Sequence, residues 1–332
     1  MRRREFIGLL GAATASAPLA VLAQPPPKVA RIGYLTIGSL ESPEVRKNLE
    51  TFREGLSELG YIEGQNIVIE YRGADGNIDQ LPALATELVR LKLDLVFAGA
   101  TPAGLAAQQV FTTTPIVVSA MGDPVRDGLV TSLARPGGNI TGTTFLGPEL
   151  VPKRLALLRE ILPKVSRVAV LWHPGAFGER TMGDMLNGIA EVAGTLGIRL
   201  HLVEVRQPNE IDHAFSTMAT ERAEALFQFP SGMLFSERRR IVELAAMHRL
   251  PSMFNGREFV QLGGLIAYGA SLTELLRRSV TYVDKILKGA KPSELPVEQP
   301  TKFELFINLK TAKTLGVEIP ATVLARADEV IE

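Results

Sequence analysis

Short apolar runs alternate with amphipathic helical patterns along most of the chain. The first runs are typical of buried β-strands and cover Val29–Thr36, Asn66–Tyr71, Leu93–Ala98 and Pro115–Ala120. Between them, apolar side chains recur at spacings of three and four residues, as at Val45, Leu49, Phe52, Leu56 and Leu59. Each such series forms one apolar stripe along a helix. Strands that alternate with helices of this length predict right-handed βαβ units and a mostly parallel sheet with helices on both faces.

The same alternation starts again after Pro163. Further strands are predicted at Arg167–Trp172, Arg199–Arg206, Ala225–Phe229, Leu265–Tyr268 and Phe303–Asn308, with helices between the first four and another after Tyr268. Residues 135–142 are rich in turn formers and separate the two halves, either as the approach to a hinge or as a plain surface loop. The pattern predicts an α/β protein of two doubly wound parallel-sheet lobes.

The first 23 residues read as a cleaved export signal with a twin-arginine character. Three arginines at positions 2–4 precede an uncharged run, residues 9–22. A spanning helix needs about 20 apolar residues, so this run is too short to be an anchor. A short membrane-associated helix is the alternative. Residues 24–28, with three consecutive prolines, are expected to form an extended linker.

The composition of the mature chain limits the classes of partner that it is expected to bind. Without the signal's three arginines and one glutamate, the 36 basic and 36 acidic residues become 33 and 35, which gives no reason to expect nucleic acid or an anionic membrane surface as a partner. The later apolar runs are too short to span a membrane, so no stable membrane insertion is expected. The chain has no cysteine, which excludes disulfides, a thiolate nucleophile and a lipid-modified cysteine tether. An exported protein without a tether is expected in the periplasm.

Catalytic and cofactor motifs are not found. There is no G-x-S-x-G elbow, no Gly-Lys pair for a P-loop, and no metal-ligand spacing among the four histidines, so no cofactor and no metal are expected. The arginines at 238–240 begin an amphipathic helix and are interpreted as a solvated face.

The loops that follow the predicted strands supply the candidate ligand-binding residues, because ligands of open α/β sheets bind outside the carboxyl ends of the strands. The candidates are Ser39, Thr101, Ser119, Asp123, His173, Phe229, Ser231, Asn255 and Tyr268. Thr101 is expected to cap a helix that has Pro102 at its first position, an arrangement suited to a carboxylate or phosphate. Asp123 offers a charge for an ammonium group, or else forms an ordinary Asp-Pro turn. Each aromatic candidate is also suited to simple core packing.

Several longer strings resemble the ABC-transporter substrate-binding family related to tryptophan- and tyrosine-type binding proteins. They are FREGL at 52–56, EGQNI at 63–67, GDPV at 122–125, LARPGGNITG at 133–142, REF at 257–259 and NLKTA at 308–312. The first loop, residues 36–41, departs from the members with an assigned ligand, where a stretch with Gln and His stands. This leaves the side-chain specificity open.

The resemblance implies a type I periplasmic-binding-protein fold, with three chain crossings near Phe145, near Tyr268 and within 296–303. Lobe 1 would comprise 29–145 plus 269–295, lobe 2 would comprise 146–268, and 296–332 would form a tail. The ligand would be an aromatic or other hydrophobic amino acid, with its carboxylate at Thr101 and its ammonium at Asp123.

Two functional hypotheses follow. The first is a monomeric, non-catalytic carrier that closes over a small solute and presents it to a membrane permease. The alternative is an exported α/β enzyme with Asp123 and His173 as an acid-base pair across the cleft. A receptor-linked sensor domain is a third possibility that the chain alone does not separate from a carrier.

Overall fold

The computed structural model describes residues 29–332 and builds them into two α/β lobes. The export signal and the linker up to residue 28 lie outside the described residues. The first sheet contains β1 (Ala30–Thr36), β2 (Ile67–Gly73), β3 (Leu95–Gly99), β4 (Ile116–Met121) and β5 (Ile140–Thr144). The second contains β6 (Arg167–Trp172), β7 (Arg199–Glu204), β8 (Ala225–Gln228), β9 (Ser252–Phe254), β10 (Ile266–Gly269), β11 (Glu304–Asn308) and β12 (Glu329–Ile331).

Helices cover both faces of each sheet. In chain order they are α1 (Pro43–Glu58), α2 (Leu81–Val89), α3 (Ala100–Val110), α4 (Gly147–Ile161), α5 (Glu179–Leu196), α6 (Ile211–Thr220), α7 (Gly232–Ser236), α8 (Arg238–Met247), α9 (Arg257–Gln261), α10 (Leu272–Leu287), α11 (Leu309–Leu315) and α12 (Ala321–Leu324). Within the described residues, no helix is long and apolar enough to cross a membrane.

The strand orders are those of doubly wound sheets. The first sheet runs β2-β1-β3-β4-β5 and is parallel throughout, while the second runs β12-β11-β10-β9-β8-β6-β7 with only the β10–β11 pair antiparallel. Each sheet separates two hydrophobic clusters, one for each face. Helix α10 returns to lobe 1, where Val280 and Val283 pack with Phe52 in one of them. The predicted α/β class with two parallel-sheet lobes is confirmed.

The chain passes between the lobes three times. It leaves lobe 1 after β5, returns between β10 and α10, and leaves again between α10 and β11. The third passage lies beside the first, because Thr144 donates its backbone N–H to the Glu298 carbonyl at 2.8 Å and Glu298 donates to the Gly142 carbonyl at 3.0 Å. The tail after residue 303 supplies β11 and β12 to the second sheet.

The turn-rich segment at 135–142 is not a loop throughout. Its last three residues begin β5, so the turn formers end at Asn139. Gly142 has φ +143°, and a Cβ there would lie 1.9 Å from the Val118 carbonyl oxygen of β4. Only glycine permits so close an approach of the two backbones.

Candidate functional site

A cavity of about 170 Å³ lies between the two lobes at the carboxyl ends of their strands. One water molecule needs about 10–15 Å³ of cavity volume, so this cavity has room for a solute of amino-acid size. Its aromatic lining comes from both lobes and the first crossing: Tyr34, Phe97, Phe145, Phe177 and Phe235. The aliphatic lining includes Ile37, Val45, Leu272 and Leu276.

The aromatic wall is rigid because its rings pack against one another. Tyr34 stacks on Phe97 with ring centroids 5.1 Å apart, and both are buried in the core beneath β1 and β3. Phe145 stacks on Phe177 at 5.9 Å, which joins the first crossing to lobe 2. Burial, with a smaller contribution from Tyr71, raises the pKa of the Tyr34 hydroxyl, so this ring is neutral at physiological pH. The wall therefore offers preformed apolar faces.

The first turn of α3 brings backbone N–H groups to the cavity. The helix begins at Ala100, its N-cap Gly99 provides no side-chain cap, and both residues line the cavity. Because the first four N–H groups of a helix have no intrahelical partner, this end favours an anion such as a carboxylate. Ala100 has φ 72° and Ala120, also in the lining, has φ 55°. Such strained backbone in non-glycine residues is typical of binding sites.

Thr101 does not cap α3, contrary to the sequence-based expectation. It lies inside the first turn, is fully buried, and its Oγ1 accepts the backbone N–H of Gly122 at 3.0 Å. The hydroxyl thus ties α3 to the loop after β4. The expected helix terminus is present, but without Thr101 in the cavity lining.

Lobe 2 contributes two acceptors that face the cavity from one short segment. Asn255 follows β9 and Glu258 lies in the first turn of α9, and both line the cavity. The Oδ1 atom of Asn255 is buried and has no hydrogen-bond partner among the described residues. Glu44 of α1 faces the same space from lobe 1.

An ion pair joins the lobes at the edge of the cavity. Arg238 Nη2 lies 3.3 Å from Glu44 Oε1, and the two side chains are only 12% and 20% exposed. Arg238 also lies 4.5 Å from the centre of the Phe235 ring and donates to the Phe235 carbonyl at 2.8 Å. Burial lowers the pKa of the Arg238 guanidinium, while Glu44 opposes that shift. The interpretation of Arg238 as part of a solvated face is wrong.

Three of the nine predicted site residues line the cavity: Ser119, Ser231 and Asn255. Ser231 also caps α7, since its Oγ accepts the backbone N–H of Leu234 at 3.3 Å. The strand-end argument therefore identifies one position in lobe 1 and two in lobe 2.

The other six predicted residues make contacts elsewhere. Ser39 accepts the N–H of Glu41 within its own loop at 3.4 Å. Phe229 is fully buried and packs edge-on against Phe227 at 6.0 Å. Tyr268 receives a hydrogen bond from Lys153 Nζ at 2.6 Å.

Asp123 and His173 are engaged in local structure. Asp123 Oδ1 accepts the N–H groups of Val125 and Arg126 at 3.2 and 2.9 Å, which is the Asp-Pro turn of the simpler interpretation. His173 is buried, and its Nδ1 lies 3.0 Å from the Val205 carbonyl. Burial is the main cause that lowers the pKa of His173 and favours its neutral form. Neither side chain lines the cavity, so the acid-base alternative is not favoured.

Several cavity residues carry no sequence signal of function. Glu44 and Phe177 belong to ordinary amphipathic and loop patterns, and Glu258 is one of many surface-type acids. Only the approach of the two lobes makes them neighbours. In the described part of the chain, no three His, Asp or Glu side chains are grouped in a way that could hold a metal ion.

Two α/β lobes, three crossings and a ligand-sized cavity between them define a two-lobed solute-binding protein of type I periplasmic-binding-protein fold. The profile of the ABC transporter substrate binding protein family matches residues 36–331, and the chain belongs to that family.

Known relatives agree with this assignment. The chain is 26% identical over 282 residues to the tyrosine-binding protein of Clostridioides difficile strain R20291, covering 84% of this chain and 79% of that protein. An ABC domain from Streptococcus pneumoniae in complex with L-Trp has TM-score 0.80 and 26% identity, over 91% of this chain and 99% of that one. The ligand-free, open structure of an adhesive substrate binding protein from Clostridium difficile has TM-score 0.61 and 25% identity, over the same 91% and 99%.

Proposed function

We propose that this protein captures an aromatic L-amino acid between its lobes and delivers it to the permease of an ABC importer. The observation that carries the proposal is the cavity between the lobes, with five aromatic side chains in its lining. A tyrosine-binding relative and a neighbour in complex with L-Trp support the same solute class.

The cavity chemistry matches each part of such a solute. Burying an aromatic side chain contributes about 1.5–3 kcal/mol, and a favourable ring pair about 0.5–1.5 kcal/mol more. The solute ring would lie against the wall around Phe97 and Phe177, and its carboxylate at the first turn of α3. The hydroxyl of Ser119, at the end of the neighbouring strand β4, lies in the same lining.

The lobes are closed in this structure. Arg126 of lobe 1 forms two hydrogen bonds to Asp184 of lobe 2, at 2.6 and 3.0 Å, and Glu44 pairs with Arg238. The higher TM-score to the L-Trp complex than to the open, ligand-free protein, at nearly equal identity, supports this assignment. Solute binding would then shift the population from open to closed lobes, limited by the difference in affinity between the two.

The remaining features of the carrier follow from the sequence. We infer a monomer in the periplasm, exported by the signal at 1–23, with lobe 1 at 29–145 plus 269–295, lobe 2 at 146–268 and a tail at 296–332. A permease would recognise the closed pair of lobes, and no reaction would occur at the site. The six predicted residues outside the cavity lining would act on the solute only through the segments they hold.

Thermal shift followed by titration calorimetry tests this function. We expect L-Trp, L-Tyr or L-Phe to raise the melting temperature, whereas L-Ala and L-Glu do not. Phe235→Ala should weaken the best solute, and the matched change Phe303→Ala, at a half-buried ring outside the cavity lining, should not. The absence of any shift with aromatic amino acids, or their chemical conversion during incubation, would refute the proposal.

A further inference from the structure

The two acceptors of lobe 2 belong to one compact turn. Asn255 and Glu258 are three residues apart, and Glu258 folds back over Gly256, where an added Cβ would lie 2.7 Å from Glu258 Oε2. A Cβ on Gly269 of β10 would lie only 2.1 Å from the Asn255 carbonyl oxygen, so the turn is held tightly against the neighbouring strand. The segment therefore presents an amide oxygen and a carboxylate to the cavity from a fixed backbone.

Neither acceptor has a hydrogen-bond donor among the residues that the structure describes. Asn255 Oδ1 is buried without a hydrogen-bond partner among the described residues, and leaving such a group unpaired is destabilising. No hydrogen bond or ion pair joins the Glu258 carboxylate to another described residue. Arg238 interacts with Glu258 electrostatically, but its guanidinium forms its ion pair with Glu44.

The charges of the cavity lining indicate which charge the solute group opposite Asn255 and Glu258 should carry. Among the described residues, the lining contains the carboxylates of Glu44 and Glu258 but no lysine, arginine or histidine. With Glu44 neutralised by Arg238, one negative charge faces the solute. The N–H groups at the start of α3 serve the solute carboxylate from the other lobe. The cavity is thus complementary to a zwitterion held with its ammonium toward lobe 2.

We propose that Asn255 and Glu258 form an ammonium subsite that makes a cationic nitrogen obligatory in the solute. This rests on the proposed function and replaces Asp123 as the partner of the ammonium group. The subsite would admit aromatic amino acids and their decarboxylated amines. It would reject the deaminated aromatic acids, because they bring no donor to Asn255 and Glu258 and add a second negative charge to the cavity.

The test compares three solutes that share one ring: L-tryptophan, tryptamine and indole-3-propionate. A parallel series uses L-tyrosine, tyramine and 3-(4-hydroxyphenyl)propionate. Titration calorimetry on the wild type should give binding of the amino acid, weaker binding of the amine, and the weakest binding of the acid. Glu258→Gln should weaken the amino acid and the amine roughly tenfold or more, as loss of a charge-assisted hydrogen bond requires, and should leave the acid unchanged or improve it. Asn255→Ala should weaken the amine as well as the amino acid.

The control is Glu243→Gln, which removes an exposed carboxylate from α8 and should leave every dissociation constant unchanged. Equal loss of all three solutes in Glu258→Gln would show a structural role and overturn the subsite. A change of less than twofold in the dissociation constant of the amino acid in Glu258→Gln would also overturn the subsite. If no amino acid or amine of either series binds the wild type, the proposed function fails together with the subsite. Binding of the amino acid without sensitivity to Glu258 refutes the subsite alone.

Discussion

Closure of the lobes can be tested without touching the cavity, at a point where a glycine of lobe 2 meets an isoleucine of lobe 1. Gly175 follows β6, and a Cβ on it would lie 1.9 Å from Ile78 Cδ1 and 3.3 Å from Ile78 Cγ1. Neither residue lines the cavity. The substitution Gly175→Ala therefore acts on the approach of the lobes and not on solute contacts.

The size of the effect follows from the overlap. Apolar carbons rest about 3.5–4.0 Å apart, so either the lobes must separate slightly or Ile78 must change its rotamer. Because Ile78 Cδ1 is the free end of a flexible side chain, a rotamer change absorbs much of the overlap, and the cost lies at the low end of overpacking, about 1 kcal/mol. Since the overlap exists only in the closed form, that cost weakens solute binding by roughly fivefold. The 3.1 Å approach of the same Cβ to His173 Nε2 lies within lobe 2 and affects the open and closed forms equally.

The assay is calorimetric titration with the aromatic amino acid that gives the largest thermal shift. In an Ile78→Ala background, Gly175→Ala should change the dissociation constant less than twofold, because the methyl groups that it meets are gone. The control Gly183→Ala, on α5 with no atom within 4 Å of the added Cβ, should bind as the wild type. Full affinity in Gly175→Ala, or no rescue by Ile78→Ala, would refute the closed arrangement described above.

Three further predictions concern stability and pH. Arg154 is fully buried, has no acidic partner within residues 29–332, and burial lowers its pKa to about 9. Arg154→Met should therefore raise the free energy of unfolding in urea by about 1–3 kcal/mol, and destabilisation would contradict this. Gly142→Ala should cost roughly 3 kcal/mol or more in the same assay, and Gly138→Ala, with open space around its Cβ, less than about 1 kcal/mol. Burial against lobe 2 raises the pKa of Asp127, so protonation of this carboxyl favours closure. The affinity of the wild type for its solute should therefore rise, relative to that of Asp127→Asn, as the pH falls from about 7 toward about 4. If the ratio of the two affinities does not change with pH, Asp127 is not the responsible group.

The periodic patterns predicted most of the fold because they report burial directly. Strand Arg167–Trp172 is found with the same bounds, and helices lie between the next strands as predicted, beginning with α5 at Glu179–Leu196. The strands that the pattern missed are β5, β9 and β12. Strands β9 and β12 contain three residues each, too few to show a period of two. Strand β5 contains Gly142, and a glycine argues against a strand unless one knows that the Val118 backbone approaches it closely.

The site was less predictable for a geometric reason. A strand end specifies the edge of a sheet but not the direction of each side chain, so Ser119 faces the cavity while Asp123, four residues later, closes its own turn. The ion pair between Glu44 and Arg238 could not be predicted from local patterns, because the two residues are almost two hundred positions apart and meet only across the cleft. No periodicity within either helix encodes that distance.

Two features of the cavity oppose closure without a solute, and one of the ion pairs across the cleft favours closure only weakly. The Arg126–Asp184 pair is about half exposed on both sides, and such pairs contribute about 0–1 kcal/mol. Closure without a solute would also bury Asn255 Oδ1 unpaired and confine the charge of Glu258 beside apolar walls. A solute with an ammonium group removes both costs and adds its ring to the wall. The groups that select the solute are thus the same groups that oppose closure without it, which couples recognition to the conformation that a permease would receive.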